Sequence, residues 1–272
     1  MKFILLGSGA VRPTLDRWGP AQIVQVAGQN LMFDCGRGAS MRLVEADIPF
    51  ASVKQLFFTH HHYDHNCDFG YFFITGWLLG REEPLRVIGP RGTESFCDAI
   101  INRAYRDDIN SRRHHPYYSV RPHGCEFVAR DILEDRLTLQ GDGYVIKMVH
   151  VLHKSHILDN LAYRIEAEGK SIVVVGDTCV CDSLIELAQG ADLLVHECTF
   201  PSARVESGEW GSFHTAPRAL GQWAKEAGVK RLMLKHYAVH PGVEVEPMAE
   251  EARSTFGDEG LIVGHDLHVV EV

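Results

Sequence analysis

One block of the sequence concentrates metal-liganding side chains: Thr59-His60-His61-His62-Tyr63-Asp64-His65, with the spacing His-x-His-x-Asp-His. It follows directly on the apolar, strand-like stretch Gln55-Leu56-Phe57-Phe58. His60 and His62 stand two apart at the end of that strand, so both imidazoles can turn to one side and share one ion. Asp64 and His65 lie beyond the bend and can reach a second. Neutral imidazole nitrogen and carboxylate oxygen are favoured zinc donors after thiolate. The competing reading is a surface or tag-like histidine cluster, but this run is internal, interrupted by an aspartate and preceded by a strand. His61 and Tyr63 alternate away from the ligand side and read as packing or as support.

Further reactive side chains sit at strand ends downstream. The continuous apolar run Ser171 to Val175, suited to a strand covered on both faces, ends in Gly176-Asp177-Thr178. A carboxylate held by a glycine turn at the end of a buried strand is where loop-borne chemistry is commonly mounted. Its competing reading is a helix N-cap for Cys181 to Ala188. The strand Ala191 to Val195 leads to His196-Glu197-Cys198-Thr199-Phe200, His214-Thr215-Ala216-Pro217 opens a helix running to Ala227, and the strand Arg231 to Lys235 ends in His236-Tyr237. Cys179 and Cys181 read as small apolar packing at a helix start.

The elements that must position these groups alternate strand blocks with helices. Lys2 to Leu6 predicts a strand ending in the turn Gly7-Ser8-Gly9, and residues 21 to 26 and 30 to 34 predict a hairpin across Ala27-Gly28-Gln29. Helices are expected over 38 to 46, 69 to 79 and 93 to 108, with a buried strand over Leu85 to Ile88. Residues 109 to 130 are basic, aromatic and proline-punctuated, and predict a loop over the site, either a lid for an anionic substrate or a solvated excursion. Strands follow at 136 to 139, 144 to 151 and 161 to 167. A helix over Met248 to Phe256 and a terminal strand pair around Gly264-His265-Asp266 close the chain. No low-complexity linker divides it, so residues 1 to 272 are expected to form a single domain.

Composition bounds the function. With 272 residues and 45% hydrophobic content the chain can bury a large core. A formal net charge of -9 supplies no global basic field, so strong non-specific binding to nucleic acid or to an anionic membrane is not suggested. Seven scattered cysteines without a CxxC pair read as reduced thiols. The apolar run at the start is broken by Gly7, shorter than the roughly 7 residues a secretory signal needs, and no stretch reaches the length of a membrane span. A cytoplasmic location is the expectation.

Taken together, His60-x-His62-x-Asp64-His65, a histidine after a strand near 153, Gly176-Asp177-Thr178 and His236 resemble the metallo-β-lactamase superfamily, in the expected order over nearly the whole chain. More narrowly, Leu6-Gly7-Ser8-Gly9, Phe33-Asp34-Cys35-Gly36, Ala162-Tyr163-Arg164-Ile165, His196-Glu197-Cys198-Thr199-Phe200 and His214-Thr215-Ala216 resemble its ribonuclease Z and arylsulfatase-like branch. Arg17-Trp18-Gly19-Pro20-Ala21 and residues 159 to 165 look closer to the arylsulfatase-like members. The resemblance implies an α/β fold, a four-layer αββα sandwich of two mixed sheets, with a dinuclear, usually zinc, centre at one edge.

By that resemblance His60, His62 and a histidine of the 150s hold the first zinc, Asp64, His65 and His236 the second, and Asp177 bridges them. Two histidines compete for the third position. His153 ends a strand and stands nine residues before Ala162, as in arylsulfatase-like relatives, whereas His156 matches the ribonuclease Z spacing. We take His153, because a strand end fixes a ligand better than a loop. Glu197 and His214 look like the ribonuclease Z pair in which a carboxylate orients a histidine acting as general acid. Their competing reading is that Glu197 caps a helix and His214 only supports a ligand. Asp64, Glu197 and His214 are thus the catalytic candidates.

The implied activity is a dinuclear hydrolase using a metal-bridging hydroxide on a small anionic ester, a phosphodiester or aryl sulfate ester first. Two Zn2+ are the expected cofactors, with Mn2+ or Fe2+ as substitutes. A ribonuclease Z-like tRNA 3′-end endonuclease ranks second, because the long glycine- and proline-rich arm with which that enzyme grips tRNA is not evident and the net charge is acidic. A lactone or thioester hydrolase stays open, and the non-enzyme alternative is a ligand-binding sensor that retains the pocket. No membrane partner is expected, and a homodimer is what relatives imply.

Overall fold

Two seven-stranded sheets pack face to face, each covered on its outer side by helices, in four layers of order αββα. The computed structural model describes residues 1–153, 158–208, 210, 211, 213–241 and 243–272, so the alternative ligand His156 lies outside the described residues. Strands β1 (Lys2–Gly7), β2 (Ala21–Val26), β3 (Gln29–Phe33), β4 (Val53–Phe57), β5 (Leu85–Pro90) and β6 (Phe127–Ile132) build the first sheet. Strands β7 (Arg136–Gln140), β8 (Val145–Val151), β9 (Asn160–Ala167), β10 (Lys170–Val175), β11 (Leu193–Glu197), β12 (Leu232–Lys235) and β13 (Leu261–Val263) build the second. The last strand, β14 (His268–Glu271), returns to pair with β1. Both sheets are mixed, as the sequence predicts.

The strand period of two sorts side chains between layers. Phe3 and Leu5 of β1 join Phe33, Tyr163 and Val195 between the sheets, whereas Ile4 and Leu6 face the outer helices. The outer layer of the first sheet carries α1 (Ala39–Glu45), the short α2 (Tyr63–Asn66), α3 (Phe69–Leu78), α4 (Thr93–Cys97), α5 (Arg106–Arg113) and α6 (Pro116–Ser119). That of the second carries α7 (Asp182–Ala188), α8 (Ser202–Glu206), α9 (Pro217–Glu226) and α10 (Val245–Phe256). β2 and β3 form the expected hairpin, pairing Val26 with Gln29. Its two-residue turn places Ala27 at φ 49° and Gly28 at φ 72°, the left-handed pair that matches strand twist. No helix among the described residues is long and apolar enough to cross a membrane.

Three expectations are corrected. The helix over 93 to 108 is broken, since α4 continues as a π-helical turn, Asp98–Ala104, before α5 begins. The segment 109 to 130 is not a lid. Trp77 Nε1 donates to the Arg121 carbonyl at 3.0 Å, Arg81 donates to that of Gly124 at 3.1 Å, and Ile109 and Cys125 join the outer core. It braces α3 on the far side of the first sheet, and its end, β6, is a missed edge strand whose charged, half-exposed pattern suits an open edge. The two terminal strands are not a pair. β13 adds to β12 and β14 to β1, so the chain end ties the two sheets together.

Candidate active site

The C-terminal ends of strands from both sheets converge at one edge. After β4 the chain delivers His60 and His62 and then turns into α2, whose first turn carries Asp64 and His65. β8 leads to His153, β10 to Gly176-Asp177, β11 ends on Glu197 and β12 is followed by His236. All except His62 are buried. Gly176 is required by this convergence, because a methyl group there would collide with Thr59 Oγ1 and crowd the His60 ring.

Two sets of donor atoms result among the described residues. His60, His62, His153 and Asp177 present ligand atoms that all lie within 4.8 Å of one another, and so do Asp64, His65 and His236. The structure therefore brings together the residues taken as ligands from the sequence, His153 included, while its competitor His156 lies outside the described residues. Asp177 Oδ1 stands between the sets, 3.6 Å from His65 Nε2 and 3.3 Å from His236 Nε2. Buried, it has no hydrogen-bond partner among the described residues. His60 Nε2 faces His62 Nδ1 at 2.9 Å, and His65 Nε2 faces His236 Nε2 at 3.1 Å. Imidazole nitrogens aimed at one another around an unpartnered carboxylate oxygen are a donor set that fits divalent cations.

The other ring nitrogens explain why the rings point inwards. His60 Nδ1 bonds Thr59 Oγ1 at 3.0 Å, His65 Nδ1 bonds Asp34 Oδ2 at 2.9 Å, and His236 Nδ1 bonds Thr199 Oγ1 at 2.9 Å. His153 Nδ1 donates to the Phe213 carbonyl at 2.6 Å. Each contact reserves the opposite nitrogen for the centre. Sequence reasoning missed these partners. Asp34 belongs to Phe33-Asp34-Cys35-Gly36, whose pattern does not show what its carboxylate holds, and threonines and a backbone carbonyl carry no signal of this kind.

The electrostatics divide the imidazoles. Burial and neighbouring imidazoles hold His60 well below its ordinary value, and burial likewise lowers His62 and His153. Burial opposes charge on His65 as well, but Asp34 and Asp64 outweigh it and push His65 up to about 10. Burial disfavours ionised Asp177 too, yet His236 and His65 hold it well below the usual carboxylate range. Lys235, buried on β12 beside Glu197, has no hydrogen-bond partner for Nζ among the described residues, and burial lowers it.

Glu197 and His214 meet at the same edge. Glu197 Oε1 accepts from His214 Nδ1 at 3.2 Å and from the Thr215 amide at 2.9 Å. Its Oε2 accepts from the Thr199 amide at 2.9 Å and hydroxyl at 2.6 Å. Against burial, His214 draws Glu197 down to about 2, and Glu197 raises His214 in return. The His214 ring lies 5.4 Å from that of His153. A cavity of about 370 Å³ opens over the centre, lined by His62, Asp64, His153, Asp177, His214 and His236 and by an apolar wall. His61 turns away, bonding Thr93 Oγ1 at 2.8 Å and packing against Phe58 and Phe96. Asp177 caps no helix, since Cys181 precedes α7.

Residues 29–237 match the β-lactamase superfamily domain, and the chain belongs to the metallo-β-lactamase superfamily, in the branch that contains ribonuclease Z. It is 34% identical to the Ribonuclease Z of Mycobacterium bovis (strain BCG / Pasteur 1173P2), an alignment covering 100% of this chain and 98% of that one. The fold is shared with the human short-form tRNase Z, at TM-score 0.76 and 22% identity over 100% of this chain and 99% of that one. The metallo-β-lactamase fold protein YhfI from Bacillus subtilis superposes equally, at TM-score 0.76 and 22% identity over 99% and 98% of the two chains. These relatives favour the reading ranked second from sequence, and they lend no specific support to the arylsulfatase-like side or to a small ester.

Proposed function

We propose that the chain is a two-metal phosphodiesterase that cuts RNA at a 3′ end, as the ribonuclease Z name of its relatives suggests, with zinc as its metal. The observation that carries the reading is the placement of a paired His214–Glu197 beside two facing donor sets. His60, His62, His153 and Asp177 would hold one ion and Asp64, His65 and His236 the other, with Asp177 shared. A bound pair of such ions supplies a water of lowered pKa and offsets charge developing at phosphorus. The chain's own residues do the rest. Thr59, Asp34, Thr199 and the Phe213 carbonyl hold the imidazoles in one tautomer, Asp177 and Asp64 keep the anionic phosphate from approaching except where cations offset them, and His214 gives its proton to the departing oxygen. Glu197 keeps that proton on His214 and fixes the ring.

The compact, partly apolar cavity favours a second reading, a small phosphodiester or other small ester as substrate. One assay separates the two. Metal-loaded protein is given a precursor tRNA with a 3′ trailer and, separately, bis(p-nitrophenyl) phosphate, over a range of salt. Cleavage of the precursor, weakening as salt rises, is the expected result. Turnover of the small diester alone would move the substrate to the second reading, and failure to cleave either would overturn the phosphodiesterase.

A further inference from the structure

The apolar wall of the cavity has an order that the hydrolytic machinery does not use. Trp210 lies nearly parallel to Phe200, with ring centroids 4.9 Å apart at 21°, and the Arg204 guanidinium sits 5.2 Å from the centroid of the Phe200 ring. Phe213 abuts Trp210 at 6.2 Å, and its carbonyl is the acceptor that orients His153. Both Phe200 and Trp210 line the cavity, and the Trp210 indole N–H is buried without an acceptor among the described residues. A backed, rigid aromatic face beside a phosphate-handling centre is what base stacking requires. Its position relative to the proton donor decides which base. His214 meets Phe200 edge-on at 5.3 Å and 80° and lies 6.1 Å from Trp210, so the wall stands on the side where the departing oxygen is protonated.

We infer that Trp210, backed by Phe200, is a stacking platform for the base of the nucleotide whose O3′ leaves. The inference rests on the phosphodiesterase reading and names which side of the cut is held. In that step water oxygen bonds to phosphorus, the P–O3′ bond breaks, O3′ takes a proton from His214, and a proton of the water passes to solvent. The products are a 3′-hydroxyl on the stacked nucleotide and a 5′-phosphate on the other. The platform reads an aromatic face and accepts any base.

Two probes separate the sides, because adenosine 3′-monophosphate puts its base on the O3′ side of the phosphate and adenosine 5′-monophosphate puts it on the other. Calorimetric titration of metal-loaded wild type is expected to show the 3′-isomer binding about tenfold or more tightly, the scale of one stacked base. In Trp210→Ala that gap should close, and in Trp210→Phe, which keeps a ring, most of it should persist. Where Trp210→Ala lowers the melting temperature too far for titration, Phe200→Leu removes the backing ring and should narrow the same gap. Equal or reversed preference in wild type, or a gap untouched by the substitutions, would overturn the platform. Phosphodiester cleavage with no isomer preference would remove the platform alone, whereas isomer preference without cleavage would remove the phosphodiesterase and leave the platform.

Discussion

The two sheets repeat one pairing scheme, three antiparallel neighbours followed by three parallel ones, running from β14 to β6 in the first and from β7 to β13 in the second. β3 and β10 occupy corresponding places, and each is followed by a buried aspartate. Asp34, at φ 58°, is fully engaged. It accepts from the Thr59 amide at 2.8 Å, from the Thr59 hydroxyl at 3.0 Å and from His65 Nδ1 at 2.9 Å. Asp177, just past the corresponding strand, keeps Oδ1 free of any such bond among the described residues, while two imidazoles approach it within 3.6 Å. A buried carboxylate oxygen left unbonded is costly unless a cation meets it. The same topology thus builds a brace on one side and an open donor on the other, and hydrogen-bond satisfaction tells them apart.

That contrast can be broken by exchanging the two losses. Asp177→Ala is expected to show the largest effect, cutting turnover on the order of 10³-fold or more, as removal of several kcal/mol of metal-derived stabilisation requires. Elemental analysis of the same variant should show fewer ions per chain. His214→Ala comes next. Alkyl phosphodiesters should slow by roughly 10² to 10⁴, the range of general acid catalysis, while nitrophenyl diesters, whose leaving group needs no proton, lose much less. Metal content should not change. Equal losses on both esters would leave His214 as a support of His153 and nothing more. Asp34→Asn should be milder, weakening metal affinity about 10 to 100-fold through the freed His65 ring, measured by chelator competition. An effect as large as that of Asp177→Ala would erase the distinction between brace and ligand.

The smallest expected effect is a change in pH profile. Although burial opposes it, Glu197 raises His214 above its ordinary imidazole value, so the protonated acid persists to higher pH than in a free imidazole. The rate on alkyl diesters should hold below that raised value and fall as pH rises through it, and Glu197→Gln should move the alkaline limb to lower pH. A limb that stays in place in the glutamine variant would separate the acid from Glu197.

Much of this centre was legible before the structure, because strand ends announce themselves and histidines and aspartates at such ends are few. His60, His62, Asp64, His65, Asp177 and His236 each follow an apolar run, and their order is as informative as their types. His153 is harder, since only the rigidity of a strand end favours it over His156, which lies outside the described residues. What could not be read was the support. Thr59 and Thr199 act through hydroxyls common in any sequence, Phe213 acts through its backbone, and the parity of Asp34 with Asp177 exists only once the two sheets are paired. The 109 to 130 segment misled for a related reason. Its basic and aromatic composition suits a substrate loop, but Trp77 and Arg81 on or beside α3 offered buried partners that no local pattern reveals.

The central claim, two donor sets sharing Asp177, is tested most directly by counting ions. Protein purified without chelator and reconstituted with zinc should saturate at about two ions per chain by elemental analysis, as two converging ligand sets require. Saturation at one ion, or at none, would contradict it.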